Sequence, residues 1–324
     1  MKLNIAIIGC GLIGEKRFKN LTKNFNLIAC SDIKLKNISY LTKNKKIKKF
    51  KNWKKIFELK NLNAVIISTY HNSLSKILFF AFKKKINSFV EKPAGTKPDL
   101  IKKILELNKN NKVKIRVGFN HRFHPAILKA KDLINKKYLG KIMFIRAVYG
   151  HGGRKGYNKE WRFNKRLSGG GELIDKGSHL IDLCHYFLGD LRLVFSDLNT
   201  FFWKTRLEDN CFLILKNSKS NKAYLHSSCT EWKNKFIFEI FCQYGKIEIN
   251  GLGKSYGIEK LILYKMKKKM GKPSKKVWLY KNDNSWKTEI NEFYKDIKFN
   301  RISKPGLREA LKNLNLIKKI YKLK

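Results

Sequence analysis

Two hydrophobic rhythms divide the chain. From Leu3 to about Gly118, short solid apolar runs alternate with stretches of helical period, whereas beyond about residue 123 the runs come closer together, with turn residues between them. Leu3, Ile5, Ala6, Ile7 and Ile8 open the first pattern. The runs Leu27 to Cys30, Ala64 to Ser68, Ser88 to Glu91 and Lys114 to Gly118 continue it as strands. Apolar runs without polar alternation mark strands covered on both faces, as in a parallel sheet between helices. Helices are predicted from Glu15 to Lys23 and around Trp53 to Leu59, Leu74 to Lys84 and Asp99 to Asn108. Residues 1–121 are therefore predicted to form a doubly wound α/β domain.

Residues 122–324 read as a second, α+β domain. It has a helix from Pro125 to Ile134, a strand from Ile142 to Tyr149, a glycine-rich loop and another helix. Strand-like runs follow at Leu193 to Phe202, Cys211 to Leu215, Ala223 to His226, Phe236 to Cys242, Lys246 to Ile249 and Leu261 to Tyr264. Turn residues separate them, which predicts a large, mostly antiparallel open sheet. Two closing helices, Trp286 to Phe299 and Leu307 to Lys322, are expected to return to the first domain. At 324 residues, two domains is the natural division.

The first apolar run stops at Gly9-Cys10-Gly11-Leu12-Ile13-Gly14. In a strand, glycine turn and helix, Gly9 makes the turn, Gly11 lets a pyrophosphate approach the backbone and Gly14 lets the helix pack on the strand. The helix N-terminus at Leu12 and Ile13 then faces the phosphates. Asp32 follows the second run, 18 residues beyond Gly14, where a carboxylate can accept from an adenosine ribose 2'-hydroxyl. Doubly wound sheets bind ligands at the carboxyl ends of their strands. That places Thr69, His71, Glu91, Lys92 and Asn120 among the cofactor-binding candidates.

Ser168 to Asp182 is the second informative stretch. Its three glycines lead into a helix on which Asp175, His179 and Asp182 share a face. A histidine flanked by carboxylates suits a general base near neutral pH, although a helical His near an Asp is more often a packing or surface pair.

Composition narrows the picture. The net charge of +48 would ordinarily point to nucleic acid, but the basic residues are 61 Lys against 11 Arg, spread through both halves. Lys, Asn, Ile and Phe are residues of AT-rich codons, so compositional drift accounts for the charge without a nucleic-acid partner. The densest patch, Tyr264 to Lys276, reads as a solvated loop. The six scattered cysteines form no CxxC pair and the seven histidines no metal-ligand spacing, so neither a disulfide nor a metal is expected. No run is long enough for a membrane span and no signal peptide is read at the start, which leads us to expect a cytoplasmic protein.

The order GCGLIG, Asp32, EKP, NHRFHP and GGGELIDKGSHLID resembles the family of glucose-fructose oxidoreductase and inositol 2-dehydrogenase (Gfo/Idh/MocA) over essentially the whole chain. The resemblance implies a Rossmann domain, a second domain with a large open sheet, and oxidation or reduction of a sugar or cyclitol hydroxyl with NAD(H) or NADP(H). The family's EKP lysine falls on Lys92, and the aspartate and histidine of its DxGxHxxD motif fall on Asp175 and His179. The implied mechanism has His179 take the alcohol proton, Lys92 polarise the oxygen and Asp175 hold a neighbouring hydroxyl.

One departure stands out: Thr69 is followed by Tyr70 where the family usually has proline. Asp32 favours NAD by repelling a 2'-phosphate and Lys34 partly offsets it, leaving NADP as the alternative. Asn120, Arg122, Tyr157, Trp161 and Arg162 are candidates around the substrate, the last four together with Lys92, Asp175 and His179 forming the substrate set. The stretch GHGGRKGYNKEWR, from Gly150 to Arg162, resembles members of cell-surface glycan pathways, which implies a nucleotide-linked or acidic sugar. A homodimer or homotetramer through the open sheet is expected. A dinucleotide-sensing regulator of the same fold and a basic nucleic-acid-binding protein are the rival readings.

Overall fold

A computed structural model describes residues 2–42 and 46–323. The chain divides into two compact units, Met1–Phe119 with Trp286–Asn315, and Asn120–Ser285 with Leu316–Lys324.

The first unit runs β1 (Leu3–Ile8), α1 (Leu12–Lys19), β2 (Phe25–Ser31), α2 (Leu35–Leu41), β3 (Lys48–Phe50), a 3-10 turn (Trp53–Glu58), β4 (Ala64–Ile67), α3 (His71–Lys83), β5 (Asn87–Glu91), α4 (Asp99–Leu107) and β6 (Ile115–Gly118). Its six strands pair in parallel in the order β3-β2-β1-β4-β5-β6. The solid apolar runs have the anticipated cause. Ile5 and Ile7 of β1 face one core while Ala6 and Ile8 face the other, and all four are essentially inaccessible to solvent.

Several boundaries differ from the sequence reading. Helix α1 starts at Leu12, inside the glycine motif, and ends at Lys19. The Trp53 stretch is a 3-10 turn, and α2 and β3 were not anticipated. Only Ile38 and Leu41 of α2 are buried and β3 has three residues, so neither carries a periodic signal.

The second unit contains α5 (Pro125–Asn135), β7 (Ile142–Gly150), α6 (Lys165–Ser168), a π turn (Leu173–Gly177) and α7 (Ser178–Leu188). Strands β8 (Arg192–Asn199), β9 (Asn210–Lys216), β10 (Lys222–Ser228), β11 (Lys235–Cys242), β12 (Gly245–Asn250), β13 (Glu259–Lys265) and β14 (Ser274–Tyr280) complete it. They form one eight-stranded sheet, β14-β13-β12-β11-β7-β10-β9-β8, in which only β7 and β10 pair in parallel. Ile145, Ala147 and Tyr149 of β7 face a core shared with α5 and α7. The alternate residues Phe144 and Arg146 lie on the other face, where Phe144 stacks on Phe241 and Arg146 pairs with Glu239.

Two expectations for this unit are corrected. The Lys-rich patch is not all loop: β13 continues to Lys265, and Lys275 and Lys276 lie on the edge strand β14, where charged side chains discourage further strand addition. The strand expected to reach Phe202 ends at Asn199. The buried Asp209 carboxylate accepts the N–H groups of Phe201, Phe202 and Trp203, each at 2.9 Å, and so turns the chain. After the sheet come α8 (Ser285–Lys298) and α9 (Leu307–Lys322). Ile290 and Phe293 of α8 and Leu307, Ala310 and Leu314 of α9 enter the cores of the first unit.

Candidate functional site

The first unit carries a dinucleotide cradle built from backbone. Gly9 has φ +92°, and a Cβ there would lie 2.6 Å from the Ser68 carbonyl carbon. At Gly14 a Cβ would lie 2.1 Å from the Gly9 oxygen, so β1 and α1 meet without a side chain between them. Gly11 differs from both: nothing lies within 4 Å of its Cβ position, which leaves open the approach that a phosphate group needs. Gly11 caps α1 without a side-chain hydrogen bond, so the first-turn N–H groups from Leu12 onward face that approach.

Asp32 is fixed beside this turn. Its Oδ2 accepts the Cys10 N–H at 2.7 Å, and its Oδ1 accepts the Lys34 N–H at 2.8 Å and the Asn37 amide at 3.1 Å. A carboxylate offers about four lone-pair sites, so capacity for a ribose hydroxyl remains. The residues therefore fit an adenosine dinucleotide.

At the other strand ends, the Ser73 hydroxyl donates to Thr69 Oγ1 at 2.7 Å, and the buried His71 opens α3. Lys92 is half-buried just past β5. Glu91, a cofactor candidate from the sequence, accepts from Nε of the fully buried Arg17, whose Nη1 donates to Glu289 Oε2 at 2.7 Å. A carboxylate beside a buried guanidinium is held there by charge pairing. Asn120 belongs to the second unit, with its amide 3.4 Å from Ser285 Oγ.

In the second unit, His179 on α7 is buried and its ring stacks on that of His121. Tyr149 and Phe236 close around His121. Asp182, one turn further along α7, is engaged from another segment. It accepts a bidentate pair from Arg122, at 2.7 and 2.8 Å. Arg122, a substrate candidate from the sequence, is a clamp on α7, because a buried fork-to-carboxylate pair fixes its guanidinium.

Asp175 sits on the π turn, a wide element often found at functional sites. Arg162 Nε donates to Asp175 Oδ2 at 3.3 Å, and the Arg162 guanidinium lies over the Trp161 ring. The buried Tyr157 is packed by Phe163 and Trp203. His151 Nδ1 accepts the Gly153 N–H at 2.7 Å, which assigns the ring proton to Nε2, 3.2 Å from Tyr157 Oη. Burial, aided by the Lys176 charge, lowers the His151 pKa to about 3, so the ring stays neutral. With the His151 Nε2–H donating, the Tyr157 hydroxyl keeps its own proton to offer. Burial pushes the Tyr157 pKa up, so that proton is retained.

Sequence reasoning missed two residues here. Lys176 is buried with Nζ 2.8 Å from Glu172 Oε2 and 3.5 Å from Asp175 Oδ2. Burial alone would lower its pKa, but Glu172, Tyr157 and Asp175 outweigh it and keep the ammonium charged. The i, i+4 spacing of Glu172 and Lys176 was the available signal. Glu208 is the other: its Oε1 accepts the Gly171 and Leu173 N–H groups and the Tyr321 hydroxyl, fixing the glycine segment. No local signal marks it, since it lies 37 residues from Gly171.

Two family models match, one described as the oxidoreductase family with NAD-binding Rossmann fold over residues 3–119, the other as the GFO/IDH/MocA C-terminal domain over residues 127–248. The chain belongs to the Gfo/Idh/MocA family. Among curated relatives, it is 28% identical over 150 residues to levoglucosan dehydrogenase of Pseudarthrobacter phenanthrenivorans, covering 46% of this chain and 38% of that protein. It is 26% identical over 199 residues to myo-inositol 2-dehydrogenase of Thermotoga maritima, covering 60% and 58%. The matches thus span less than two thirds of these relatives' lengths.

Solved structures extend the likeness of fold to the whole chain. Levoglucosan dehydrogenase in complex with NADH superposes with a TM-score of 0.87 at 17% identity, covering 99% of this chain and 98% of that one. A 3-ketoreductase from Actinomadura kijaniata, in complex with NADP and TDP-benzene, gives 0.84 at 14% identity with the same coverages. Among the described residues of this Gfo/Idh/MocA member, no helix is long and apolar enough to cross a membrane.

Proposed function

We propose that this protein is an NAD(P)-dependent dehydrogenase acting on a secondary hydroxyl of a sugar or cyclitol, with Lys92, Asp175 and His179 as its catalytic residues. The observation that carries the reading is the buried His179 ring, held flat against His121 on a helix fixed by the Arg122 to Asp182 clamp, within a chain whose first unit has the Gly11 cradle. The bound cofactor would accept a hydride at the nicotinamide ring. His179 takes the alcohol proton, Lys92 polarises the same oxygen and Asp175 orients a neighbouring hydroxyl. Leu12, Ile13 and the glycines of the turn hold the phosphates. Asp32 holds the adenosine ribose and favours NAD over NADP, because a 2'-phosphate would meet its negative charge.

A neutral, hydroxyl-rich ring suits the second unit better than an acidic one. Lys176 is paired with Glu172, Arg162 with Glu160 and Asp175, and Arg154 with Glu160, so these three cations are matched by local carboxylates. The Tyr157 hydroxyl and the Trp161 ring add a donor and an aromatic face for such a ring. The face of the sheet bearing Phe144, Tyr224 and Phe241 suits a second copy of the chain, giving a homodimer or homotetramer. The six free, buried cysteines suit a reducing cytoplasm.

The test is reduction of NAD, then NADP, by the purified protein over a panel of inositols, free sugars, anhydrosugars, uronic acids and nucleotide sugars. Turnover by the wild type that Lys92→Ala and His179→Ala lose supports the reading. Tight cofactor binding with no turnover across the panel moves it to a dinucleotide-sensing regulator.

A further inference from the structure

The guanidinium of Arg17 is fully buried inside the first unit, far from the solvated face of α1 on which a basic residue of this composition belongs. Three elements converge on it. Glu91 at the end of β5 accepts from Nε, Glu289 on α8 accepts from Nη1 at 2.7 Å, and α1 supplies the arginine itself. The ring centroids of Phe89 and Trp286 lie 4.2 and 4.4 Å from the guanidinium carbon. A side chain at Gly118 would displace the pair, because a Cβ there would lie 2.8 Å from Glu91 Oε2 and 2.9 Å from Arg17 Nη2. The site is built around one cation and two carboxylates.

The placement of this cluster sets it apart from an ordinary buried ion pair. Arg17 lies one turn beyond Gly14 on the helix that ends the glycine turn, and Glu91 immediately precedes Lys92. Successive side chains of a strand point to opposite faces, so fixing Glu91 on one side fixes the direction in which the chain leaves β5. We infer that Arg17 is a positioning residue for Lys92, pinning the end of β5 to α1 and α8 through Glu91 and Glu289. The inference rests on the reading that Lys92 acts at the substrate.

The guanidinium fork is what the task requires. Its nitrogens diverge in one plane and reach two carboxylates on different elements at once, whereas a lysine ammonium is a point charge on a flexible stem. Arg116 on β6 also acts on Glu289, and itself pairs with Asp296 at 2.6 Å. The charged groups around Glu289 are therefore Arg17, Glu91 and Arg116, and of the two cations Arg17 is the one that bridges it to the Lys92 strand.

The experiment is competitive labelling of Lys92 with acetic anhydride across pH, read by peptide mass spectrometry on the full chain. Wild type is compared with Arg17→Lys and Glu91→Gln, with the exposed Lys55 and Lys102 on the same molecules as references. The expected result is a change of about threefold or more in the labelling of Lys92 relative to the references in both variants. A folded variant with an unchanged Lys92 profile overturns the inference, even if its melting temperature falls, because a purely structural Arg17 would affect stability alone. If Arg17→Lys does not fold, Glu91→Gln carries the test, since it keeps the side-chain size and the Arg17 to Glu289 pair. Labelling needs no turnover, so its outcome is separate from that of the functional reading, which full activity of Lys92→Ala would overturn.

Discussion

The His179 imidazole lies face to face on that of His121, with ring centroids 3.8 Å apart and planes 24° from parallel. Both rings are buried, and His121 is itself braced by Tyr149 and Phe236. His121 thus supplies the surface against which the proposed base is aimed. Replacing it with alanine lets the His179 ring tilt, and an error of about 1 Å in a reacting group costs on the order of a hundredfold in rate. His121→Ala is expected to lower kcat by about tenfold to a hundredfold with little change in the cofactor KM, and His121→Phe to restore most of it. Steady-state kinetics on the substrate found in the panel checks both.

The glycine turn predicts a contrast within one motif. A side chain at Gly11 enters open space, so Gly11→Val should leave the melting temperature nearly unchanged while abolishing the quenching that accompanies NADH binding. Gly14→Ala drives a methyl into the Gly9 carbonyl and should destabilise the fold by about 1–3 kcal/mol. Thermal melts and fluorescence titrations on the two variants separate the roles.

Asp32 should set cofactor choice. Its carboxylate is tied to the Cys10 and Lys34 N–H groups, so the charge cannot swing away from a 2'-phosphate. Asp32→Ser removes the repulsion and leaves Lys34 to attract the phosphate. The NAD to NADP preference in kcat/KM should fall by about tenfold or more, the equivalent of about 1.4 kcal/mol. A variant with unaltered preference would remove Asp32 from the ribose site.

Arg122 and Asp182 predict a stability effect. Truncating Arg122 to alanine leaves a buried carboxylate without its bidentate partner, at a cost of about 3–5 kcal/mol. The double variant Arg122→Met with Asp182→Leu should recover much of that loss. Urea denaturation measures it.

Glu289 links the first unit's stability to pH. Burial, with Glu91 adding to it, raises its pKa from 4.5 to about 7 against the pull of Arg17. Between those two values the folded chain keeps a proton that the unfolded chain has lost. The stabilisation is therefore complete below pH 4.5 and disappears as pH rises toward 7, an effect on the order of a few kcal/mol. Glu289→Gln, which mimics the protonated form, should flatten this dependence, and wild-type and variant melting temperatures measured across that window test it.

Much of the first unit was legible because its physics is local. A strand buried on both faces must be apolar throughout, and β1 is. The glycine turn was legible for the same reason, since the strand before it and the helix after it are its sequence neighbours. What escaped was decided at a distance. The partners of Glu91 lie far along the chain: Arg17 is 74 residues before it, and Glu289, which shares Arg17, is 198 after. Nothing in the segment around Arg122 shows its partner Asp182 across the fold. Strand β14 escaped for a different reason: its lysines and exposure suppress the alternation that marks a strand.

The first core also has an order of assembly. Its sheet is complete in the chain by Gly118, yet Ile290 and Phe293, which cover one face of it, and Glu289, which faces Arg17, emerge from the ribosome only after the entire eight-stranded sheet. For that interval the nascent first unit holds an apolar face uncovered and a guanidinium with one of its two carboxylates missing. A fragment ending at Phe119 would be left permanently in that state, so the cofactor-binding half cannot be cut from this protein at the boundary its strand pattern suggests.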